Sequence, residues 1–83
     1  MNIEQIIELV EKWIADPKSV SYEELKFARD AARAAAYAAA CPLLNADVYA
    51  AAISAHAALN GDTDAAKLWV AEYHKNKFYK YWV

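Results

Sequence analysis

The side chains that could carry out covalent chemistry are few in this chain of 83 residues. Nucleophilic catalysis needs a nucleophile, a base and an orienting acid, and the available trio is Cys41, His56 and Asp47. No motif surrounds Cys41, and a lone cysteine is a weak catalytic signal. The alternative is a small thiol that packs as a hydrophobic residue. We therefore expect a protein that is not an enzyme.

Metal and phosphate sites also lack the usual ligands. The two histidines, His56 and His74, have neither an HExxH motif nor paired cysteines beside them. The one glycine, Gly61, follows Asn60 at a predicted helix end, where glycine commonly caps a helix, so no glycine-rich phosphate loop is present. We expect no metal and no cofactor, with His56 a core histidine hydrogen-bonded across the bundle and His74 a surface residue.

The C-terminal stretch HKNKFYKYWV alternates basic and aromatic residues. Its aromatic side chains could be anchors in a protein interface, or platforms on which single-stranded nucleic acid stacks. A third interpretation is that Phe78, Tyr81 and Trp82 fold back and complete a core short of large groups. The candidate partner-binding residues of this stretch are Tyr79, Lys80, Tyr81 and Trp82.

A second candidate surface is a polar stripe at helical spacing, formed by Lys26, Arg29, Asp30, Arg33 and Tyr37. Such a stripe is commonly a solvated helix face. It could also bind an acidic partner, or the acidic first helix of a second copy. Arg29, Arg33 and Tyr37 are the candidate partner-binding residues here.

Four predicted helices must position these residues, over about 3–15, 22–40, 46–59 and 63–80 of a single helical domain, 1–83. Ile3, Ile6, Ile7 and Val10 begin an apolar stripe with the period of a helix. Proline ends the first two helices, because it disfavours helical angles in the residue before it. Ser21 followed by Glu24 predicts a capping box at the second helix, and Asn45 is the expected cap of the third.

Alanine dominates the second and third helices. The expected apolar face of the second is Leu25, Ala28, Ala32, Ala35 and Ala39, widened by Phe27, Ala31, Ala34 and Ala38. Small side chains allow helix axes to approach to about 8 Å. We predict an all-α, compact four-helix bundle with closely packed Ala-rich helices. The alternative use of the alanines is a smooth surface that receives another molecule.

Charge and hydropathy restrict the partners. The net charge of −2 argues against a general nucleic-acid binder, which is usually strongly basic. The chain begins acidic and ends basic, so its ends could attract each other within the fold or head to tail between copies. The start, MNIEQIIELVEKW, carries acids where a signal peptide carries bases, and no uninterrupted apolar run reaches about 20 residues. We expect a cytoplasmic protein without a membrane partner.

Two alanine-rich runs, ARDAARAAAYAAA and YAAAISAHAA, resemble helical segments of small proteins from bacteriophages and prophages, some described as putative immunity proteins. The size, mild acidity and all-helical pattern are similar to those of several anti-CRISPR proteins. The resemblance covers mainly residues 28–59 and carries no functional motif. It implies a compact protein that acts by occupying the surface of another macromolecule.

These observations favour a protein-binding function. We expect a phage or mobile-element inhibitor that sterically blocks a bacterial host protein or complex. One alternative is a small nucleic-acid-binding protein that uses Lys75 to Trp82, for which binding would weaken strongly as salt rises. Another is a structural homo-oligomer, such as a homodimer, whose Ala-lined helices pair across a two-fold axis.

Overall fold

The computed structural model describes residues 1–38 and 46–80, with side chains up to Lys75. Within these ranges it contains four α-helices and one short 3₁₀ turn, and the predicted all-α four-helix bundle is confirmed. The helices are α1 (Ile3–Ala15), α2 (Tyr22–Ala38), α3 (Ala46–Leu59) and α4 (Thr63–Lys80), and the turn is Pro17–Ser19. Residues 39 and 40, expected in α2, and the expected cap Asn45 lie outside the described residues.

Polar side chains cap the starts of three helices, where the first backbone N–H groups have no partner within the helix. At α1, Asn2 Oδ1 accepts from the Gln5 N–H at 2.8 Å, and Gln5 Oε1 accepts from the Asn2 N–H at 2.8 Å, a complete capping box. At α2, Ser21 Oγ accepts from the Glu24 N–H at 3.1 Å. At α4, Asp62 Oδ1 accepts from the Ala65 N–H at 3.0 Å.

The Ser21 cap is expected to contribute measurably to stability. We predict that Ser21→Ala lowers the free energy of unfolding by about 1 kcal/mol, because the Glu24 N–H loses its partner at a helix start. Ser21→Asp keeps a capping oxygen and should stay within about 0.5 kcal/mol of the parent. Urea unfolding followed by circular dichroism measures both changes. Equal losses in the two variants would contradict a capping role.

Helix α3 lies at the centre of the bundle. It packs against all three other helices, whereas α2 and α4 share no contact within residues 1–38 and 46–80. Helix α1 packs across the bundle and touches α2, α3 and α4. Since α2 is held chiefly by α3 and only slightly by α1, one broad side of α2 is left open to solvent.

The core combines a few large side chains with many alanines. Helix α1 buries Ile6, Ile7, Val10 and Trp13, and α4 buries Ala66, Val70 and Tyr73. Helix α2 buries Leu25, Ala28, Ala32 and Ala36, and α3 buries Ala50, Ala51, Ser54, Ala55, Ala57 and Ala58. Alanine on the facing sides of α2 and α3 therefore serves packing within one chain.

The expected width of the α2 apolar face was wrong. Phe27 is 63% exposed, and Ala34 and Ala38 are also exposed. At 100° per residue these three positions lie about 100–140° around α2 from the middle of the buried pair, Ala28 and Ala32. Alanine differs little in hydropathy from the polar residues around it. The hydropathy pattern of α2 therefore did not show where its buried face begins and ends.

The expected role of His56 was wrong as well. His56 is exposed, because the buried side of α3 is centred on Ala51, Ser54 and Ala58, which lie about 140–160° around the helix from His56. The buried polar side chain of α3 is Ser54, which is 0% exposed. Its hydroxyl donates to the Ala51 carbonyl at 2.9 Å, so the bond is made within the helix and not across the bundle.

Helix α4 continues through Lys80, so the segment NKFYK is helical. Within residues 1–38 and 46–80, no helix combines the length and the apolar character needed to cross a bilayer.

Candidate interaction surface

The open side of α2 carries most of the exposed aromatic side chains of the described part of the chain. Tyr22 and Phe27 are each 63% exposed and Tyr37 is 85% exposed. Lys26 and Arg33 are exposed on the same side. We call this set of five residues the α2 outer face. It extends for about 22 Å from Tyr22 to Tyr37, at 1.5 Å per residue.

Arg29 lies at the border between the α2 outer face and the core. Its side chain is 20% exposed, and its Nη2 and Nε donate to Asp30 Oδ1 at 3.1 and 3.2 Å. Part of its charge is therefore balanced by its neighbour in sequence. Of the three candidates on the predicted polar stripe, Arg33 and Tyr37 are exposed to solvent, and Arg29 is only partly exposed.

Two aromatic residues of the α2 outer face, Tyr22 and Phe27, were not predicted from the sequence as part of an exposed surface. Tyr22 follows the Ser21 cap directly and stands four residues before Lys26, so extending the polar stripe by one helical turn would have included it. Phe27 was assigned to the alanine face because it is apolar. Its place on the open side of α2 is visible only once the centre of the buried face is known.

The other four candidates lie at the C-terminal end. The structure places Tyr79 and Lys80 in the last turn of α4, without a description of their side chains. Tyr81 and Trp82 lie outside the described residues. Tyr79 and Lys80 are therefore on a different helix from Arg33 and Tyr37.

A second surface feature runs between α1 and α4. Ile14 and Ala15 share an apolar cleft of about 320 Å³ with Val70 and Ala71, and Glu11 and Lys67 stand at its edge. A smaller pocket of about 170 Å³ follows, lined by Glu4, Ile7, Glu8, Glu11, Tyr73 and His74. Because the end of α1 is beside the start of α4, and Glu4 is beside Tyr73, the two helices are antiparallel. We call the two depressions together the α1–α4 groove.

The α1 side of the α1–α4 groove is acidic. Glu4, Glu8 and Glu11 are exposed and lie on one stripe of α1. Glu11 Oε1 is 3.5 Å from His74 Nε2, an ion pair when the imidazole is protonated, and both side chains are about half exposed. The Tyr73 and His74 rings meet edge to face, with centroids 5.2 Å apart. The acidic start of the sequence thus lies beside Tyr73 and His74 of α4.

The candidate catalytic trio does not form an assembled site within the described residues. Cys41 lies outside them, Asp47 is half-buried in the first turn of α3, and His56 is exposed further along that helix. Nor does any group of three His, Cys, Asp or Glu side chains in residues 1–38 and 46–75 have the arrangement of a metal site. What these residues do form is two exposed surfaces, one aromatic and basic, the other apolar and acidic.

Comparison with known proteins adds no relative to this description: no family model, no curated protein and no solved structure matches the chain.

Proposed function

We propose that this protein is a non-enzymatic protein-binding protein, and that the α2 outer face is its binding surface. The observation that carries the proposal is the exposure of three aromatic rings on the solvent-exposed arc of one helix, with Tyr37 about 60° around α2 from Tyr22 and about 80° from Phe27. Rings exposed together are costly in water, and aromatic and arginine side chains supply most of the binding energy at protein interfaces. A partner that buries the rings of Tyr22 and Tyr37 would also cover the two cations of the α2 outer face, which lie between these rings around the helix.

The charges of the α2 outer face favour a protein surface, not a nucleic acid, as its partner. Lys26 and Arg33 are exposed there, and Glu23 and Asp30 are exposed beside them. Mixed charge suits a protein partner, since a phosphate backbone would repel both carboxylates. The net charge of −2 supports the same choice.

The mechanism we propose is steric. The rings belong to a helix of 17 described residues that is fixed at its start by the Ser21 cap and along its length by α3. Little ordering is then needed on binding, which favours affinity. The resemblance of the alanine-rich runs to phage and prophage proteins supports an inhibitor that acts in a bacterial cytoplasm, where it would cover a functional site of a host defence or regulatory protein.

The test is a pull-down of bacterial lysate on the immobilised chain, after nuclease treatment, with bound proteins identified by mass spectrometry. The parent should retain a host protein in stoichiometric amount. The double variant Tyr37→Ala/Arg33→Ala should weaken this binding at least about thirtyfold, because each removes an aromatic or arginine anchor. The control Leu68→Ala/Lys12→Ala removes an exposed apolar side chain and an exposed cation elsewhere, and should bind like the parent.

Two further results separate the alternatives. If Tyr37→Ala/Arg33→Ala binds as well as the parent and Trp82→Ala does not, the C-terminal residues Tyr79, Lys80, Tyr81 and Trp82 form the binding surface instead. If the bound material is lost with nuclease, and binding weakens steeply with salt, the partner is nucleic acid and the proposal is wrong.

A further inference from the structure

Four residues of α2 form a stripe with a regular spacing, which the proposed binding of a host protein does not require. Tyr22, Lys26, Arg29 and Arg33 are separated by four, three and four residues. At 100° per residue their side chains fall within about 60° of one another around the helix. The stripe therefore presents an aromatic ring followed by three cations, over about 16 Å of helix.

The exposed side of α1 has a stripe with the same spacing. Glu4, Glu8, Glu11 and Ala15 are all exposed and are also separated by four, three and four residues, within about 60° around the helix. The three carboxylates line one wall of the α1–α4 groove. Ala15 lines the apolar cleft of about 320 Å³ at the other end of that groove.

We propose that the α2 stripe of one copy of this protein binds the α1–α4 groove of a second copy. With the two helices antiparallel, Arg33 lies opposite Glu4, and Lys26 lies opposite Glu11. The same register sets Arg29 opposite Glu8 and brings the Tyr22 ring to the apolar cleft. Every charged position of one stripe then meets its opposite charge, because the spacing of four, three and four residues is the same in both chain directions.

The antiparallel direction is the one that the charges select. With the helices parallel, the equal spacings would set Glu4 opposite Tyr22 and would set Arg33 over the apolar cleft, so only two charge pairs would form. Antiparallel helices also have favourable dipole interactions. On the α2 side Lys26 and Arg33 carry most of the attraction, since Arg29 is already paired with Asp30. On the α1 side Glu11 also lies 3.5 Å from His74, so Lys26 would share this carboxylate with the imidazole.

The stripe shares Tyr22, Lys26 and Arg33 with the α2 outer face, so a second copy and the proposed partner would compete for these residues. The purified chain alone is enough to test the contact, and the test is therefore independent of the proposed function. Sedimentation equilibrium of the purified chain should show concentration-dependent association at about 0.05 M salt that weakens at about 0.5 M salt, where exposed charges are screened. A chain that stays monomeric up to millimolar concentration at low salt would overturn the proposal.

A charge exchange identifies the surfaces. Lys26→Glu/Arg33→Glu makes both stripes acidic, and Glu4→Lys/Glu11→Lys makes both basic, so each variant alone should associate at least about tenfold more weakly than the parent. Mixed in equal amounts, the two variants again offer opposite charges and should associate about as tightly as the parent. Circular dichroism checks that both are folded. Folded variants that keep the parent's association, or whose mixture fails to restore it, would refute the assignment.

Two aromatic side chains provide a matched control. Tyr22 and Phe27 are both 63% exposed on α2, but only Tyr22 belongs to the stripe. Tyr22→Ala should weaken self-association about tenfold, as expected for an aromatic anchor in a pocket, and Phe27→Ala should leave it unchanged. The reverse order of effects would place the contact at the Phe27 edge of the α2 outer face.

Discussion

Replacing Ala32 by leucine is expected to destabilise the protein by about 1–3 kcal/mol, although leucine is a good helix former and more hydrophobic than alanine. Ala32 is 0% exposed and lies on the side of α2 that packs against α3. Both helices present alanine at this contact, so no space exists for three more carbon atoms without moving a backbone. The melting temperature should fall by about 4–8 °C for each kcal/mol lost.

Ala34→Leu is the matched control for this prediction. It makes the same chemical change on the same helix, but at an exposed position where the added atoms meet water. Its free energy of unfolding should stay within about 0.5 kcal/mol of the parent. Thermal unfolding of the two variants side by side distinguishes packing from helix propensity. If Ala32→Leu were as stable as Ala34→Leu, the alanines of α2 would not be there to bring α3 close.

Ile6→Ala should destabilise the protein more than Ala32→Leu or Ser21→Ala, with a loss of about 2–5 kcal/mol. Ile6 is 0% exposed, and Ile6, Ile7 and Val10 are the largest apolar side chains that are fully buried among the described residues. A domain of this length has a total stability of about 4–12 kcal/mol. Because about half of the buried core residues are alanines, few long side chains are available to fill the cavity.

Ile53→Ala provides the comparison for Ile6→Ala. Ile53 is 37% exposed on α3, and its truncation should cost less than about 1 kcal/mol, since it removes the same atoms from a site already open to water. Urea unfolding at 25 °C measures both free energies of unfolding. Similar losses at the two positions would mean that the core is not centred on the α1 isoleucines.

The starts of α2 and α4 could be predicted from local chemistry. Ser21 at α2 and Asp62 at α4 use side-chain oxygens that accept from N–H groups three residues further on. Such bonds depend only on residues close in sequence. The same holds for the apolar stripe of α1, because Ile6, Ile7 and Val10 differ strongly in hydropathy from the glutamates between them.

The candidate surface was predicted only in part. Arg33 and Tyr37 were identified correctly as members of an exposed stripe, since a cation and a hydroxyl-bearing ring stand out among alanines. Phe27 was missed, because an apolar residue beside alanines is not distinguishable by type from a core residue. The α1–α4 groove was missed too, because it combines residues from the two ends of the sequence.

The sequence by itself determined the helical class, the helix starts and the buried stripe of α1, because caps and hydropathy periods act over one or two helical turns. Only the tertiary structure decided which alanines of α2 and α3 are buried, that His56 faces solvent, and that the acidic start of α1 lies beside Tyr73 and His74 of α4. The physical reason is the low contrast of alanine. A helix made largely of methyl groups has no strongly preferred buried side until a neighbouring helix covers one.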